Sequence, residues 1–398
     1  MPAVSTVLVT VTGADHPGIT GELFAVLAAH DGQVRDVEQV VVRGQLTLSV
    51  LTHLDDDPAP LLRALQRRLS RPGQSVRTVV DPPKVPRRAS SHVLLLMGRP
   101  LTAAPVHALS SRFGAHGINI DAITQVADFP VTGLEMTLTA PDAAVLQQLV
   151  AQTATEHPVD IAVQQAGLAR RAKRLIVFDV DSTLITGEVI EMLAEHTGTR
   201  AEVERITAAA MRGELDFAAS LTERVAMLAG LDATVLDEVA GQLQLTEGAA
   251  TTIATLKQLG YRCGIVSGGF TQVAQALVDE LDLDFVAANT LEIAGGRLTG
   301  RVVGDIVDRA GKAAALQRFA AAFEVPMSQT VAVGDGANDI DMLSAAGLGI
   351  AFNAKPSVAE HADTTVSVPS LEPVLLILGI SRTALPAPTP AVIAPVAE

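Results

Sequence analysis

The sequence is poor in cysteine, in aromatic residues and in positive charge. A single cysteine, Cys263, in 398 residues excludes an intramolecular disulfide framework and any metal site built from cysteines. Aromatic residues make up 3% and tryptophan is missing, so the hydrophobic cores must consist mainly of Ala, Val, Leu and Ile. The sequence has 29 Lys and Arg residues and 44 Asp and Glu residues, which gives a net charge of −15. This charge argues against a nucleic-acid partner, because phosphate backbones are bound by a surplus of basic residues.

Long hydrophobic runs are also missing. No run approaches the ~18–20 apolar residues that a membrane span requires, and no charged segment followed by an apolar one marks a signal peptide at the N-terminus. We therefore expect a cytoplasmic protein that has no membrane partner. A chain of 398 residues is too long for one small domain, so two or three domains are expected.

Two stretches of the N-terminal half have the same order of predicted elements. Residues 6–80 and 91–165 each follow the order β-α-β-β-α-β, in which two helices cover one face of an antiparallel sheet. We predict α+β domains over residues 1–81 and 90–166, which form a tandem repeat in pattern. A stiff, proline-rich linker over residues 81–86 separates them.

From Leu175 onward the pattern changes to buried strands alternating with helices. The run Leu-Ile-Val-Phe over residues 175–178 is typical of a strand buried on both faces of a parallel sheet. We predict a doubly wound α/β domain over residues 174–382, with an all-helical insertion over about 187–246 that forms a lid. The tail 383–398, rich in Ala and Pro, is predicted to be disordered.

Two acids follow the first strand of this predicted sheet. Asp179 and Asp181 stand where ligands bind in open α/β sheets, beyond the carboxyl end of a strand. Strand alternation would direct both carboxylates to one side, where their repulsion requires a cation or a shared proton. Mg²⁺, which prefers oxygen ligands, is the natural partner. The alternative is a pair of capping acids on the surface.

Two further motifs could bind a phosphate group. Ser267, Gly268 and Gly269 end a strand and precede a helix, so a hydroxyl and backbone N–H groups would form a phosphate cradle, although a plain strand-to-helix turn uses the same glycines. Lys312 opens a predicted helix on an otherwise apolar face. Its charge could neutralise a nucleophile and a phosphoryl group; the alternative is an ordinary solvated lysine.

The segment 334–339, Gly-Asp-Gly-Ala-Asn-Asp, completes the set beyond another strand. Asp335, Asn338 and Asp339 supply two acids and one amide to the same predicted edge of the sheet. Because all these pieces stand at a strand end or a helix start, the purely structural interpretation is disfavoured.

These motifs together resemble the haloacid dehalogenase-like phosphatases over about residues 175–368. Within that superfamily, Phe-Asp-Val-Asp-Ser-Thr-Leu over 178–184 followed by Glu188, and Met-Arg-Gly-Glu-Leu-Asp-Phe over 211–217 followed by Arg224, resemble the phosphoserine phosphatases. The resemblance implies Mg²⁺-dependent hydrolysis of O-phospho-L-serine, the last step of serine biosynthesis.

The resemblance also implies roles for the acids. Asp179 would be the nucleophile that forms an aspartyl-phosphate, and Asp181 the general acid and then the general base. The metal would be held by the carboxylates of Asp179 and Asp335 and by the backbone carbonyl of Asp181, with support from Asp339.

Substrate-binding roles follow from the same resemblance. Arg224 would bind a carboxylate and Glu188 an ammonium group. The full set of implied substrate-binding residues is Glu188, Met211, Phe217, Arg224, Ser267, Gly268, Lys312 and Asn338. Two alternatives stay open: an enzyme acting on another amino-acid phosphate, such as phosphothreonine, and an amino-acid-sensing regulatory protein with a vestigial phosphatase half.

The two N-terminal repeats resemble ACT domains, which bind amino acids and dimerise edge to edge. Asp15 and Gly18 lie in the loop between the first strand and the first helix, where that family binds its ligand. L-serine as an effector and a homodimer are therefore expected. The second repeat lacks the Pro-Gly pair of this loop, so ligand binding there is open.

Overall fold

A computed structural model describes residues 5–83, 89–211 and 216–382, without the side chains of residues 168, 169, 210 and 211. The chain divides into two compact units, Met1–Arg88 and Ala89–Glu398. The predicted disordered tail, residues 383–398, lies outside the described residues.

The first unit contains a sheet with the strand order β2-β3-β1-β4, in which all neighbours are antiparallel. Its elements are β1 (Ser5–Ala14), α1 (Ile19–Ala28), β2 (Gln33–Val42), β3 (Gln45–Leu54), α2 (Ala59–Leu69) and β4 (Gln74–Val80). Every second residue of β1 from Ser5 to Val11 is buried, and α2 buries Leu61, Leu65 and Leu69 at the spacing of one helix face. The edge strand β2 is exposed along its whole length.

The second unit begins with the same arrangement, in the order β6-β7-β5-β8. Its elements are β5 (His92–Gly98), α3 (Ala103–Ala115), β6 (Asn119–Ala127), β7 (Thr132–Thr139), α4 (Ala143–Glu156) and β8 (Asp160–Gln165). Unlike β1, strand β5 is buried on both faces: Leu94 and Leu96 pack in the core of the repeat, and Leu95 and Met97 in the core of the following domain. Its uninterrupted apolar sequence reflects this double burial.

The rest of the second unit is built on a seven-stranded sheet among the described residues, in the order β12-β11-β10-β9-β13-β14-β15. The strands are β9 (Leu175–Phe178), β10 (Arg262–Phe270), β11 (Phe285–Ala294), β12 (Arg297–Val303), β13 (Thr330–Gly334), β14 (Gly349–Phe352) and β15 (Thr364–Val366). All neighbours are parallel except β11 and β12. In the sheet, β10 lies on one side of β9 and β13 lies on the other. The strand order therefore reverses at β9, and the carboxyl end of β9 is a topological switch point.

Helices cover both faces of this sheet. They are α5 (Val189–Glu195), α6 (Arg200–Met211), α7 (Phe217–Ala226), α8 (Thr234–Ala240), α9 (Ala249–Gln258), α10 (Thr271–Leu281), α11 (Arg309–Ala322), α12 (Ile340–Ala345), α13 (Pro356–Ala359) and α14 (Pro373–Ile377). Leu175 and Val177 pack on one face of β9, and Ile176 and Phe178 on the other. The predicted fold class is confirmed, including the helical insertion that holds α5–α8. The β11–β12 hairpin and the short strand β15 were not predicted; the domain bounds stay predictions.

Asp160 links the second repeat to the large sheet through three hydrogen bonds. Its carboxylate accepts hydrogen bonds from Thr365 Oγ1 at 2.9 Å, from the Ser367 N–H at 2.8 Å and from Ser367 Oγ at 2.7 Å. The residue is 6% exposed. A buried carboxylate is tolerated only when it is hydrogen-bonded in this way, so the second repeat and the large sheet share polar as well as apolar contacts.

Within residues 5–83, 89–211 and 216–382, no helix combines the length and the hydropathy that crossing a membrane demands.

We expect Asp160→Ala to lower the free energy of unfolding of the second unit by about 1.5–3 kcal/mol, because three hydrogen bonds lose the charged and buried acceptor that Asp160 supplies. Chemical denaturation of the full chain measures this. Asp128→Ala, at an exposed position of the same repeat, is the matched control and should change stability by no more than about 0.5 kcal/mol. Equal stability of the two variants would contradict the role given to Asp160.

Candidate active site

Asp179 follows β9 directly, at the switch point of the sheet. Its N–H donates to the carbonyl of Val333 at 2.9 Å, which continues the pairing of β9 with β13 for one residue. The chain then leaves the sheet in a tight turn over Val180–Leu184, in which Asp181 is extended and Ser182 has a φ of 57°. The expectation that strand alternation aligns Asp179 and Asp181 is therefore wrong, because the strand ends at Phe178.

The turn, rather than the strand, brings the second carboxylate to the site. Asp181 Oδ1 accepts a hydrogen bond from the N–H of Val189 at 2.7 Å, at the start of α5. Burial raises the pKa of Asp181, although the Val189 N–H and the positive charges of Lys312 and Arg224 act in the opposite direction. A carboxyl group with a raised pKa can hold a proton and release it to a substrate.

Lys312 lies wholly buried between two carboxylates. Its Nζ is 2.7 Å from Asp179 Oδ1 and 2.7 Å from Asp339 Oδ1. Burial alone would lower the pKa of Lys312, but the charges of Asp179 and Asp339 outweigh it and raise the pKa. The alternative of a solvated surface lysine is thus wrong. The helix that carries Lys312 begins earlier than predicted, at Arg309, because Asp308 caps it by accepting from the Gly311 N–H.

Two glycines allow the segment 334–339 to fold tightly around Asp339. A Cβ on Gly334 would lie 2.5 Å from the Asp339 carboxylate, and one on Gly336 would lie 2.2 Å from Asn338 Oδ1. The N–H of Gly336 donates to Asp339 Oδ2 at 2.9 Å. Both oxygens of Asp339 are thus engaged, one by this N–H and the other by the lysine described above.

Asp179, Asp335 and Asp339 form one carboxylate cluster, in which an oxygen from each lies within 4.8 Å of the others. Burial and then the charge of Asp339 raise the pKa of Asp179, and the same two causes raise that of Asp335 to about 6. One lysine cannot balance two buried carboxylates and a half-buried one, and their oxygens are the donors that a hard divalent cation prefers.

The hydrogen bonds around the cluster divide it into possible ligands and support. Asp335 Oδ1 accepts from Thr183 Oγ1 at 2.9 Å, which leaves its second oxygen for another partner. Among the residues that the structure describes, Asp179 likewise uses only Oδ1, toward Lys312 and the N–H of Val180. Asp179 and Asp335 could therefore hold a cation, with Asp339 behind them; that they are metal ligands, as the family resemblance implies, stays a prediction.

The end of β10 brings a hydroxyl and glycines against these acids. Ser267 Oγ accepts from the N–H of Gly269 at 2.7 Å. A Cβ on Gly269 would lie 3.1 Å from Asp181 Oδ2, and one on Gly268 would lie 2.9 Å from the ring of Phe217. The absence of side chains here lets the backbone approach both the acid and the lid.

Asn289 is a supporting residue that the sequence analysis missed. It lies on β11 and is 1% exposed. Its Nδ2 donates to the carbonyl of Gly268 at 2.8 Å, and its Oδ1 accepts from the N–H of Val307 at 2.8 Å. The amide thus ties the predicted phosphate cradle to the segment that leads into α11. The available signal was an amide directly after the apolar run Phe285–Ala288, since such a group requires partners when it is buried.

Arg224 and Glu188 place a guanidinium group and a carboxyl group on the lid side of the site. Arg224 is 6% exposed; its Nε donates to the carbonyl of Ser220 at 3.2 Å and its Nη1 to Thr207 Oγ1 at 2.9 Å. Burial lowers the pKa of Arg224. Burial and then the charge of Asp181 raise the pKa of Glu188 to about 8, while Ser182 Oγ donates to Glu188 Oε1 at 3.0 Å.

Most of these side chains line one cavity, which holds about 700 Å³ of empty space when the part that is open to solvent is included. The predicted site residues that line it are Asp179, Asp181, Glu188, Phe217, Arg224, Gly268, Asp335 and Asn338. Lys312 and Asp339 lie directly behind this lining through their contacts with Asp179 and with each other. The side chain of Met211 lies outside the described residues.

The predicted effector residues lie in the first unit. Asp15 is exposed in the loop after β1, and its N–H donates to the carbonyl of Gly44 at 2.8 Å. Gly18 stands at the N-terminus of α1 with a φ of 101°, a conformation that favours glycine. Their role as effector ligands stays a prediction.

Comparisons with known proteins match nearly the whole chain. A family model described as haloacid dehalogenase-like hydrolase matches residues 176–344, and two ACT domain models match residues 5–79 and 90–164. Phosphoserine phosphatase SerB2 of Mycobacterium tuberculosis is 55% identical, with 96% of this chain and 95% of the relative covered. A phosphoserine phosphatase of Streptomyces coelicolor is 53% identical, covering 95% of this chain and 93% of the relative.

A solved structure described as a phospho-aspartyl intermediate analogue of phosphoserine phosphatase is also similar. It has a TM-score of 0.50 and 41% identity, and the match covers 51% of this chain and 98% of that one. That structure thus corresponds in extent to about half of this chain. Since the two relatives match at more than half identity over nearly their full lengths, the chain belongs to the phosphoserine phosphatases of the haloacid dehalogenase-like hydrolase family and carries two ACT domains.

Proposed function

We propose that the protein hydrolyses O-phospho-L-serine to L-serine and phosphate through an aspartyl-phosphate on Asp179, with Mg²⁺ as cofactor. The observation that carries this proposal is the cavity itself, which places an arginine and a glutamate beside a lysine-paired aspartate. A cation for a carboxylate and an acid for an ammonium suit an amino-acid phosphate better than a sugar phosphate. The names of the two relatives support the same substrate.

In the first step, an oxygen of the Asp179 carboxylate attacks phosphorus. The P–O bond to Asp179 forms and the P–O bond to the serine oxygen breaks, while Asp181 transfers its proton to the departing serine oxygen. Burial raises the pKa of Asp179, and the charge of Lys312, at 2.7 Å, opposes that rise and would offset charge on the phosphoryl group.

In the second step, water attacks phosphorus of the aspartyl-phosphate. Asp181, now ionised, takes a proton from that water, and the bond between phosphorus and Asp179 breaks to release inorganic phosphate. Mg²⁺, held by the carboxylates of Asp179 and Asp335 and the backbone carbonyl of Asp181, would neutralise negative charge in both steps. The phospho-aspartyl analogue in the similar solved structure supports the covalent intermediate.

We further propose that L-serine is an effector that binds the first ACT domain at the loop containing Asp15 and Gly18. Support comes from the exposed loop and from Gly18 at the start of α1, where backbone N–H groups favour a carboxylate.

A homodimer formed through β2 is proposed because this edge strand is exposed throughout, with Val34, Val37 and Val40 between 44% and 48% exposed. The cytoplasmic location and the place in serine biosynthesis stay predictions.

Phosphate release should be fastest from O-phospho-L-serine with Mg²⁺, and EDTA should abolish it. Asp179→Asn should lower kcat by roughly a thousandfold or more, because the amide cannot attack phosphorus. Release of inorganic phosphate from phosphoserine, phosphothreonine and a sugar phosphate measures both effects.

Asp237→Asn, at an exposed position of α8, is the matched control and should keep wild-type activity. Equal turnover of the sugar phosphate would contradict the roles of Glu188 and Arg224. Equal turnover of phosphothreonine would show that the cavity accepts the extra methyl group. Discrimination against one methyl group is worth about 1–3 kcal/mol at most in transition-state free energy. Undiminished activity of Asp179→Asn would reject the covalent mechanism.

The pH dependence of kcat/KM for phosphoserine should report the ionisation of Glu188. Its pKa is raised to about 8, so the carboxyl group of the free enzyme loses its proton as the pH rises through that value. The ionised form binds the ammonium group, and kcat/KM should therefore rise between about pH 7 and pH 9. In Glu188→Gln this rise should vanish; a rise of the same size in that variant would assign it to another group.

Titration calorimetry of the full chain should detect L-serine bound at the first ACT domain. Arg224→Ala weakens product binding in the active site, and the heat that persists in this variant belongs to the ACT site. Adding Gly18→Val should remove that heat, because valine is strained at a φ of 101° and would displace the loop. Absence of residual heat in Arg224→Ala would reject the effector proposal.

A further inference from the structure

A hydrogen bond between two lid helices orients the guanidinium of Arg224. Thr207 on α6 is 5% exposed, and its Oγ1 accepts from Arg224 Nη1 on α7 at 2.9 Å. Both residues line the active-site cavity. No other part of the mechanism above uses Thr207, and the sequence analysis did not single it out.

The position of Thr207 does not require a hydroxyl for packing. It shares the buried face of α6 with Val203 and Ile206, at the spacing of one helix face. Valine has nearly the same shape as threonine and would fit among these apolar neighbours. What the hydroxyl adds is an acceptor for a buried N–H group, and a donor hydrogen that remains free to turn.

The hydrogen-bond partners that the structure describes for Arg224 are uncharged, so its guanidinium can still pair with a substrate carboxylate. Among the described residues, its hydrogen bonds go to two neutral oxygens, the carbonyl of Ser220 and the hydroxyl of Thr207. These bonds use two of the five guanidinium N–H groups and hold the plane of the group. The acids whose charges act on Arg224, namely Glu188, Asp181 and Glu191, are not its hydrogen-bond partners among the described residues. A neutral acceptor positions the cation without forming an ion pair with it, so an incoming carboxylate meets an oriented guanidinium.

We propose that Thr207 is a positioning residue that holds Arg224 ready for the substrate carboxylate and thereby determines the preference for phosphorylated amino acids over other phosphomonoesters. The proposal rests on the proposed function. Its physical basis is preorganisation: the arginine side chain loses its rotamer freedom in the folded enzyme instead of on binding.

The test compares Thr207→Val and Thr207→Ser in the full chain, with O-phospho-L-serine and O-phosphoethanolamine as substrates. The second substrate has the phosphate and the ammonium group but no carboxylate. Thr207→Val should lower kcat/KM for phosphoserine about tenfold, mainly through KM, which corresponds to about 1.4 kcal/mol. It should leave kcat/KM for phosphoethanolamine unchanged, and Thr207→Ser should restore phosphoserine turnover to within about twofold of wild type.

Two further measurements separate positioning from a general loss of structure. The thermal unfolding of both variants should stay close to that of the wild type. In an Arg224→Ala background, Thr207→Val should have no additional effect on phosphoserine, since the group that it orients is gone.

A wild-type enzyme inactive on phosphoserine would reject the proposed function, and this inference with it. With an active wild type, equal losses on the two substrates, or no loss on either, would overturn the inference alone.

Discussion

The buried ion pair of Lys312 with Asp179 and Asp339 is the interaction on which the site depends. Each carboxylate comes from a different strand end and the lysine from a helix start, so the pairing requires β9, β13 and α11 to meet at one point. A buried charge left without a partner would cost several kcal/mol. The fold brings the three charges together. Any arrangement of the chain that separated them would be less stable, because it would leave a buried charge unpaired.

The turn after β9 places the second acid, Asp181, in the same cavity as Asp179 although the two acids do not lie on one strand. Asp179 keeps an extended backbone and the pairing with β13, whereas Asp181 lies in a turn closed by the Val189 N–H. Their surroundings differ accordingly, since Asp179 pairs with a lysine and Asp181 does not. Two carboxyl groups in different environments can serve as nucleophile and as proton donor at the same pH.

The two ACT domains share an order of elements and differ in how they are buried. The first exposes the whole of its edge strand β2, and the second packs both faces of β5 between its own helices and the large domain. The contrast is visible in the strands themselves, because Thr-Val-Leu-Val-Thr-Val in β1 alternates and Val-Leu-Leu-Leu-Met in β5 does not. An uninterrupted apolar run such as that of β5 indicates burial on both faces, but it does not identify the surface that covers the second face.

Local sequence patterns were sufficient to predict the order of most strands and helices, the fold class and the motifs at the strand ends, because these depend on periodicity and on neighbouring residues. They did not reveal β15, which is three residues long, or the pairing of β12, which depends on a hairpin partner. The burial of Lys312 between two acids, and the support that Asn289 and Thr207 give to the cradle and the arginine, emerged from the tertiary structure alone. These contacts join residues on different elements of the chain, and their distances are set by how helices and strands pack rather than by any local pattern.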